Sequence, residues 1–278
     1  MKLGPLPWDW SRTCVFGVVN VTPDSFHEGG RHPTVEAAVA HALALADQGA
    51  EVIDVGGEST RPGAQPVPLA QELERVLRVI RALAGRLRVP IAIDTYKAEV
   101  ARAALAAGAT LVNDVSGGLL DGEMLSVVAA AEATVVLGHL RGLPATMQEK
   151  IVFGDVVAEV IVELKQRVRR AITAGVRPDR IWVDPGLGFG KRADQTLVLL
   201  DALGRIREEV GYPLLVGPSR KSFIGAVTGQ SVAERLIGTC GAAAVAVIRG
   251  ADGVRLHDVG ELLPAVRVAD AIRRASAP

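Results

Sequence analysis

Polar and charged side chains stand at the ends of short apolar runs along the whole chain. They include Asn20, Asp54, Asp94, Asn113, His139, Asp184, Lys221, Arg255 and His257. The runs before them are rich in Val, Ile and Leu, which is typical of strands buried on both faces of a parallel sheet. Because the carboxyl ends of such strands can meet at one mouth, we expect these groups to converge in space. This convergence predicts an active site there.

One part of this set could bind a flat nitrogen heterocycle. Asp94, Asn113 and Asp184 offer carboxylate and amide groups on neighbouring strands. A carboxylate accepts two N–H bonds side by side, so these groups suit an amidine-like donor edge. Lys221 could donate a hydrogen bond to a carbonyl of the same ring.

A second part is cationic and suits a phosphate or pyrophosphate. Arg61, Arg255 and His257 would supply positive charge, and Asn20 offers a neutral oxygen. Mg²⁺ prefers hard oxygen ligands, including amide and phosphate oxygens. The predicted mouth therefore holds a heterocycle at depth and an anionic leaving group nearer the rim, with Mg²⁺ on Asn20.

Several candidates also have a purely structural interpretation. Asp54 could only hold the following loop by backbone hydrogen bonds, and the two interpretations carry equal weight. His139 is more typical of a packed histidine than of a catalyst, and Phe189 could belong to the core. Asn113 and Asp114 face opposite sides of an alternating strand, so one of the two is expected to reach the mouth.

The apolar runs predict eight strands, each followed by a segment of helical periodicity. The predicted strands are Val15–Asn20, Glu51–Val55, Pro90–Asp94, Thr110–Asn113, Thr134–Gly138, Arg180–Asp184, Pro213–Gly217 and Gly253–Leu256. The predicted helices are Val35–Gln48, Leu69–Ala84, Ala98–Ala107, Gly122–Ala131, Val156–Ala174, Gln195–Val210, Val232–Arg249 and Gly260–Ala275. The strand-to-helix joints are the longer ones and hold most of the unusual polar residues.

Eight βα units in about 250 residues predict an α/β fold, a (β/α)₈ TIM barrel with its active site at the C-terminal ends of the strands. The competing fold is a doubly wound open sheet, which carries a Gly-rich turn between a strand and a helix. The one candidate turn, Gly186–Lys191, matches neither the dinucleotide-binding pattern nor the phosphate-loop pattern. The barrel is therefore preferred, as a single domain over residues 1–278 with a short N-terminal extension.

Bulk composition excludes several kinds of partner. The 278 residues carry 31 acidic and 31 basic side chains without a basic stripe, so nucleic acid is not an expected partner. No apolar run reaches the roughly 18 residues of a membrane span, and the first residues lack a signal-peptide pattern. Cys14 and Cys240 lie in apolar runs, as expected of reduced, buried thiols. We therefore expect a cytoplasmic protein that does not bind membranes.

The joint after the first strand, Val21–Pro33, is long and chemically varied. It places Asn, Thr, Asp, Ser, His and Glu side chains close to the apolar anchors Val21 and Phe26. Connections of this length without secondary structure are commonly functional. We therefore expect this loop to close over a substrate at the end of the first strand.

Seven motifs resemble those of the dihydropteroate synthase family, in order, from about residue 13 to residue 270. They are Asn20-Val-Thr-Pro-Asp-Ser-Phe26, Gly56-Gly-Glu-Ser-Thr-Arg-Pro-Gly63, Ile93-Asp-Thr95, Asn113-Asp114, Asp184-Pro-Gly-Leu-Gly-Phe-Gly-Lys191, Gly217-Pro-Ser-Arg-Lys221 and Arg255-Leu-His-Asp-Val259. The resemblance implies a TIM barrel, usually a homodimer, that works in folate biosynthesis. It implies a transferase that condenses 6-hydroxymethyl-7,8-dihydropterin pyrophosphate with 4-aminobenzoate and releases pyrophosphate and 7,8-dihydropteroate.

The resemblance also assigns roles by position. The residues that would bind the pterin are Asp94, Asn113, Asp184 and Lys221. Those that would face the pyrophosphate are Thr60, Arg61, Arg255 and His257, with Mg²⁺ on Asn20. Those that would line the aminobenzoate pocket are Phe26, Pro62, Lys221 and Ser222, and Phe189 is a further substrate-binding candidate. The catalytic candidates are Asp94, Lys221, Arg255 and Asn20.

The implied reaction begins with departure of pyrophosphate. Asp94 would then stabilise the cation-like pterin methylene until the amine attacks. A covalent enzyme intermediate is not expected, because the sequence offers no obvious activated Ser or Cys.

Three positions depart from the family pattern. His27-Glu28-Gly-Gly stands for Ser-Asp-Gly-Gly, Gly138-His139-Leu140 for Met-His-Met, and Gly142-Leu143-Pro144 for Gly-Thr-Pro. The first Met of the family packs on the pterin. Gly138 is therefore expected to leave a gap, which would cost about 2–5 kcal/mol if unfilled or would admit a different substituent.

Two alternative functions share this barrel. A methyltransferase acting on methyltetrahydrofolate would keep the heterocycle-binding residues but would need none of the Thr-Arg-Pro-Gly, Ser-Arg-Lys and Arg-x-His motifs, all of which are present. A non-catalytic pterin-binding paralogue would account for the departures in loop one, the joint Val21–Pro33, and after the fifth strand.

Overall fold

Parallel strands form a barrel in the computed structural model, which describes residues 2–4, 6–22, 34–61 and 63–275. The strands in chain order are β1 (Lys2–Leu3), β2 (Leu6–Pro7), β3 (Cys14–Asn20), β4 (Val52–Gly56), β5 (Ile91–Asp94), β6 (Leu111–Asp114), β7 (Thr134–Gly138), β8 (Ile181–Asp184), β9 (Leu215–Val216) and β10 (Gly253–Leu256). Strands β3 to β10 form one sheet in the order β8-β7-β6-β5-β4-β3-β10-β9. A parallel bridge between Val183 and Leu214 brings β8 to β9, so the sheet is nearly closed. The predicted (β/α)₈ barrel is confirmed.

The helices alternate with the barrel strands and surround them. They are α1 (Val35–Asp47), α2 (Leu69–Leu83), α3 (Ala98–Ala106), α4 (Met124–Ala130), α5 (Val156–Thr173), α6 (Ala193–Asp201), α7 (Leu203–Val210), α8 (Ser222–Thr228), α9 (Leu236–Ile248) and α10 (Val259–Ala275). Two of them show how the sequence sets their ends. The Thr34 hydroxyl accepts from the Ala37 amide at the start of α1, and the Asp155 carboxylate accepts from the Val157 amide at the start of α5.

The helices bury an apolar stripe against the outside of the barrel. In α1 this stripe consists of Ala38, Val39, Ala42 and Leu45, which recur at the spacing of one helix face. Together with the outward-facing strand residues, such stripes form the largest hydrophobic cluster of the described chain. This hydrophobic core surrounds the barrel. It fixes the strand ends and therefore the points from which the loops of the mouth begin.

The observed elements differ from the predicted ones at four places. The predicted helix Gln195–Val210 is two helices, because the chain leaves helical geometry at Ala202. The predicted helix Val232–Arg249 begins as a 3₁₀ turn over Val232–Glu234 and becomes α-helical at Leu236. The short helix α8 and the antiparallel hairpin of β1 and β2 were not predicted.

The strand register aligns the candidate residues along one end of the barrel. Gly56 of β4 is paired with Asp94 of β5, and Asp94 is paired with Asn113 of β6. Gly138 of β7 is paired with Asp184 of β8. These residues are the last or next-to-last of their strands, so their side chains share one level at the C-terminal mouth.

The opposite end of the barrel is closed by apolar side chains. Trp182 is fully buried there, and its ring lies 5.3 Å from that of Trp10 and 6.1 Å from that of Phe16, measured between centroids. Leu3 of the N-terminal hairpin joins the same cluster. The N-terminal extension therefore covers the base of the barrel.

Two sequence expectations concern features away from the mouth. No helix of the described chain is long and apolar enough to cross a membrane. Cys14 is buried and Cys240 is half-buried, both as free thiols.

Candidate active site

The C-terminal mouth of the barrel forms a polar cavity in which most of the predicted residues meet. Its lining consists of Thr60, Asp94, Asn113, Val115, Gly138, Asp184, Gly186, Phe189, Gly217, Ser219, Lys221, Arg255 and His257. The cavity is narrow, with about 50 Å³ of free volume. Two wider cavities, of about 620 and 560 Å³, lie beside α3 and α4 and along α5, and neither is lined by any of the residues predicted for the site. The chemistry therefore concentrates in the mouth.

Arg255 lies between two carboxylates at the depth of the mouth. Its Nε–H donates to Asp54 Oδ2 at 2.5 Å, and its Nη2 donates to Asp94 Oδ2 at 2.6 Å. Asn113 Nδ2 donates to the same Asp54 oxygen at 2.9 Å. Asp54 is fully buried, and its second oxygen has no partner among the described residues. Asp54 thus orients Arg255 and Asn113 by its side chain, which decides against the purely backbone role left open by the sequence.

Burial sets the charge balance of the mouth. Burial raises the pKa of Asp94 to about 7, and the negative charge of Asp54 adds to this increase. The positive charge of Arg255 acts in the opposite direction. Burial lowers the pKa of Lys221 to about 8, against the attraction of Asp184. Burial also raises the pKa of Asp184, and a hydrogen bond from the Gly186 amide at 2.7 Å opposes that shift. Groups with pKa values moved toward neutrality are frequent in catalytic sites.

Lys221 and Phe189 form a pair on one wall of the cavity. The Lys221 ammonium lies 3.8 Å from the centroid of the Phe189 ring, within the range of a cation–π contact. Phe189 lines the cavity and also packs against the small cluster of Val115, Leu140 and Met147. Ser222, the first residue of α8, is exposed next to Lys221.

His257 is held by two polar neighbours. Its Nδ1 lies 2.9 Å from the Ser219 hydroxyl, and its Nε2 lies 3.4 Å from Asn20 Nδ2. Burial, together with the positive charge of Arg255, lowers the pKa of His257 to about 3. This shift acts against the cationic form of His257 that the sequence analysis expected.

Loop two, residues 57–68, carries Thr60 and Arg61 to the rim. Thr60 lines the cavity, whereas the Arg61 side chain is exposed. The Gly63 amide donates to the carbonyl of Pro144 at 3.3 Å, which joins loop two to the loop after β7. The half of the site predicted to bind pyrophosphate is thus divided: Thr60 and Arg61 lie on loop two, whereas Arg255 lies on β10.

Lys97 holds both ends of loop two, a role that the sequence analysis missed. Its ammonium donates to Glu58 Oε2 at 2.5 Å near the start of the loop and to the Val67 carbonyl at 2.6 Å near its end. It also donates to Glu72 of α2 at 2.6 Å, and Tyr96 donates to Glu58. The sequence did contain a sign of this role, because Lys97 lies three residues after Asp94, in the loop that follows a strand already assigned to the site.

The predicted gap at Gly138 is absent. A Cβ at this position would lie 2.6 Å from the Cα and the carbonyl oxygen of Val115. The backbone after β6 therefore occupies the space that a side chain would need. The expectation of a gap is wrong because the glycine accompanies a closer approach of two backbone segments.

Two further alternatives are decided by the structure. Asn113 lines the cavity, whereas Asp114 caps its own loop by accepting from the Ser116 and Gly118 amides at 2.8 and 2.7 Å. His139 is fully buried behind the cavity and does not line it. Three residues of the sequence analysis, Phe26, Glu28 and Pro62, lie outside the described residues, as does most of loop one.

Comparison with known proteins agrees with this site. The profile of the pterin-binding enzymes matches residues 16–257. The chain is 45% identical over 276 residues to the dihydropteroate synthase of Synechocystis sp., covering 99% of this chain and 95% of that protein. The chain belongs to the pterin-binding enzyme family.

Solved structures give the same result. A Yersinia pestis dihydropteroate synthase crystallised with a sulfonamide drug complex superposes with a TM-score of 0.93 at 38% identity, covering 99% of each chain. A Xanthomonas albilineans dihydropteroate synthase with 4-aminobenzoic acid superposes with a TM-score of 0.89 at 45% identity, covering 97% of this chain and 95% of that one. The similarity extends over the whole barrel and includes the candidate site.

Proposed function

We propose that the chain is a dihydropteroate synthase, a transferase of folate biosynthesis. It condenses 6-hydroxymethyl-7,8-dihydropterin pyrophosphate with 4-aminobenzoate to give 7,8-dihydropteroate and pyrophosphate. The observation that carries this proposal is the meeting of Asp94, Asn113, Asp184 and Lys221 with Arg255 in one mouth. The near full-length similarity to proteins of that name supports it.

The pterin is assigned to the deep half of the mouth. The carboxylate of Asp184 and the side chain of Asn113 offer acceptors for the donor edge of the heterocycle, and Lys221 offers a donor for its carbonyl. These side chains come from strand ends and from the N-terminus of α8, so they are already in place without ligand. Such preorganisation lowers the free-energy cost of binding.

The pyrophosphate is assigned to the rim beside Thr60, Arg61 and His257. Arg61 is exposed on loop two and can meet a phosphate without breaking a buried ion pair. The neutral His257 donates or accepts according to its tautomer, and an arriving anion would favour its protonated form. Arg255 lies between the pterin half and the pyrophosphate half of the site. Its positive charge is therefore assigned to the C–O bond that breaks.

Asn20 fits a role as the protein ligand of Mg²⁺. Its amide nitrogen faces His257 at 3.4 Å, which leaves the amide oxygen as the donor atom for a hard cation. The described residues contain no cluster of three acidic, His or Cys side chains that could hold a metal. This donor set suits an ion that keeps its waters and shares substrate phosphate oxygens, as Mg²⁺ does. When bound, Mg²⁺ would neutralise charge on the pyrophosphate.

The reaction follows from these placements. The C–O bond between the pterin methylene and pyrophosphate breaks, and its electron pair leaves with the pyrophosphate. Arg255 and Arg61 stabilise the departing negative charge, and the Asp94 carboxylate stabilises the positive methylene. The nitrogen of 4-aminobenzoate then attacks this carbon and loses one proton. Each step uses fixed charges, and none requires a covalent bond to the protein.

The 4-aminobenzoate is assigned to the outer side of the Lys221 and Phe189 wall. Ser222 is exposed there at the start of α8, next to Lys221. Phe26 and Pro62 of loops one and two would complete this pocket. The pocket would therefore combine a preformed wall with two loop residues.

A homodimer and a cytoplasmic location complete the proposal. The outer faces of α8 and α9 expose apolar side chains, including Val227, Ile237 and Val245. An exposed apolar face of this kind is typical of an interface between subunits. Size-exclusion chromatography with light scattering would test it, and a monomer at micromolar concentration would contradict it.

Release of pyrophosphate tests the proposed reaction. The purified chain is mixed with 6-hydroxymethyl-7,8-dihydropterin pyrophosphate, 4-aminobenzoate and Mg²⁺, and steady turnover that depends on all three is expected. Pterin binding without turnover would indicate a non-catalytic paralogue. Methyl transfer from methyltetrahydrofolate, without pyrophosphate release, would indicate the methyltransferase.

A further inference from the structure

The Gly-rich segment after β8, residues 186–191, is wrapped around its own lysine. The Lys191 side chain is buried, and its ammonium donates to the carbonyls of Gly186 at 2.9 Å and Phe189 at 3.0 Å. It also lies 2.9 Å from His139 Nδ1 and 3.2 Å from the His139 carbonyl. An ammonium has three protons, and here it meets four acceptors. The sequence is reminiscent of a phosphate-binding loop, yet its lysine binds the backbone that carries it.

This segment presses directly on the backbone that follows β7. A Cβ at Gly186 would lie 1.9 Å from the His139 carbonyl oxygen, and one at Gly190 would lie 2.8 Å from the Arg141 carbonyl oxygen. Both glycines have positive φ, at 67° and 62°. The carbonyl oxygens crowded at this contact repel one another, and hydrogen bonds from the Lys191 nitrogen to three of them offset this repulsion.

His139 connects this arrangement to α5. Because its Nδ1 faces the ammonium of Lys191, it accepts there, and its Nε2 carries the hydrogen and donates to Glu163 at 3.0 Å. Glu163 in turn accepts from Arg141 Nε at 3.0 Å. The lysine is therefore anchored through a neutral histidine to an ion pair at the edge of the barrel.

The same segment forms one wall of the candidate active site. Gly186 and Phe189 both line the cavity. The Gly186 amide donates to Asp184, and the Phe189 ring lies against the ammonium of Lys221. Two of the four residues assigned to the pterin are thus in direct contact with the segment that Lys191 holds, Asp184 with its backbone and Lys221 with the Phe189 ring.

We propose that Lys191 is a positioning residue for the pterin: it fixes the segment 186–190 so that Asp184 and Phe189 meet the heterocycle in one geometry. The proposal rests on the function proposed above, because it concerns the pterin half of that site. The two lysines then have different roles. Lys221 contacts the substrate, and Lys191 fixes the position of the cavity wall next to Lys221.

The test is binding of two probes to Lys191→Met, which keeps an unbranched side chain one atom shorter and removes the terminal nitrogen with its hydrogen bonds. Calorimetry is expected to show at least a tenfold weaker Kd for 6-hydroxymethylpterin, since the wall of its pocket is released. The Kd for inorganic pyrophosphate with Mg²⁺ is expected to change less than twofold, because that anion is assigned to the opposite rim. Lys165→Met, at an exposed lysine of α5, is the matched control and should leave both Kd values unchanged.

A folded Lys191→Met variant that binds the pterin within twofold of the parent protein would overturn the proposal, as would equal losses for both probes. If Lys191→Met does not fold, Gly190→Ala takes its place, since it keeps the ammonium and forces the segment away from Arg141. The same split between the probes is expected, and its absence is again decisive. Turnover of the parent protein tests the reaction separately, because a catalytically silent protein that binds pterin would still show the split.

Discussion

The two ends of the barrel interior differ sharply although the same strands build both. Five strands carry an apolar residue near the base and a mouth residue two positions later, and Leu215 of β9 is followed in the same way by Gly217, just beyond the strand. The pairs are Val52 and Asp54, Ala92 and Asp94, Leu111 and Asn113, Val136 and Gly138, Trp182 and Asp184, and Leu215 and Gly217. Residues two apart in a strand point to the same side, so both layers face the barrel axis.

Along the barrel axis, the base is therefore expected to contribute stability and the mouth to contribute the chemistry. At the base, contacts are between rings and aliphatic chains that exclude water, as around Trp182. At the mouth, Asp54 and Asp94 share the guanidinium of Arg255. Buried charges cost free energy unless they are paired. The apolar base is expected to offset that cost, so substitutions at the two ends should affect different quantities.

The largest effect is expected at the base. Trp182→Ala removes a fully buried ring and should lower the free energy of unfolding by about 3–5 kcal/mol. Urea unfolding measures this loss. Val152→Ala, at an exposed position, should stay close to the parent protein. In the folded variant the Kd for the pterin should change less than twofold, and a large change would break the separation of the two ends.

The next largest effect is expected at the mouth. Asp94→Asn should reduce kcat/KM by at least ~100-fold, roughly 2.7 kcal/mol, because the charge that stabilises the methylene is lost. Pyrophosphate release measures the rate. Asp201→Asn, on the exposed side of α6, is the control. Near-normal activity in Asp94→Asn would remove this residue from the mechanism.

Gly138 tests how tightly the mouth is built. Gly138→Ala should lower stability by about 1–3 kcal/mol, because its Cβ would collide with the backbone of Val115. Gly122→Ala is a matched control, since a Cβ there meets no atom within 4 Å. Thermal unfolding compares the two variants. If Gly138→Ala unfolds at the same temperature as the parent protein or at a higher one, there is room for a side chain beside Val115 and the gap expected from the sequence is present.

The smallest expected effect is a pH dependence carried by Asp94. The reaction requires its ionised form, and burial raises its pKa to about 7 with Asp54 adding to the shift and Arg255 opposing it. Protonation therefore lowers activity as the pH falls. Below pH 7, kcat/KM should decrease by about tenfold per unit. A profile from pH 5 to 8 measures this limb, and its persistence in Asp94→Asn would assign it to another group.

Much of the fold was readable because its signals are local. Thr134–Gly138 and Gly253–Leu256 were predicted with the bounds that the structure gives. The division of the helix before β9 was missed because no proline marks the break at Ala202 and the nearest glycine, Gly204, lies inside the second helix. Helix α8 was missed because its seven residues lie between Lys221 and Gly229, in a stretch that resembles a loop.

The candidate site was readable only in part, for a different reason. Asp94, Asn113 and Asp184 could be grouped because strand order alone places their strand ends together. The partners of Lys97 and Lys191 are carbonyls and carboxylates of other segments, and no sequence pattern marks such contacts. Burial by distant segments lowers the pKa of His257, and the residue type alone gives no sign of that shift.

The hydrogen bonds from Lys97 to both ends of loop two affect the entropy cost of substrate binding. Because Glu58 and Val67 are both held by one ammonium, residues 59–66 are the part of loop two between the two anchors, and the Gly63 amide within it is bonded to the Pro144 carbonyl. Ordering a residue costs about 1–2 kcal/mol of backbone entropy, and the cost grows with the number of residues that must be fixed. The ends of this rim are already fixed before any ligand arrives, so most of the remaining ordering cost falls on the tip that carries Thr60 and Arg61.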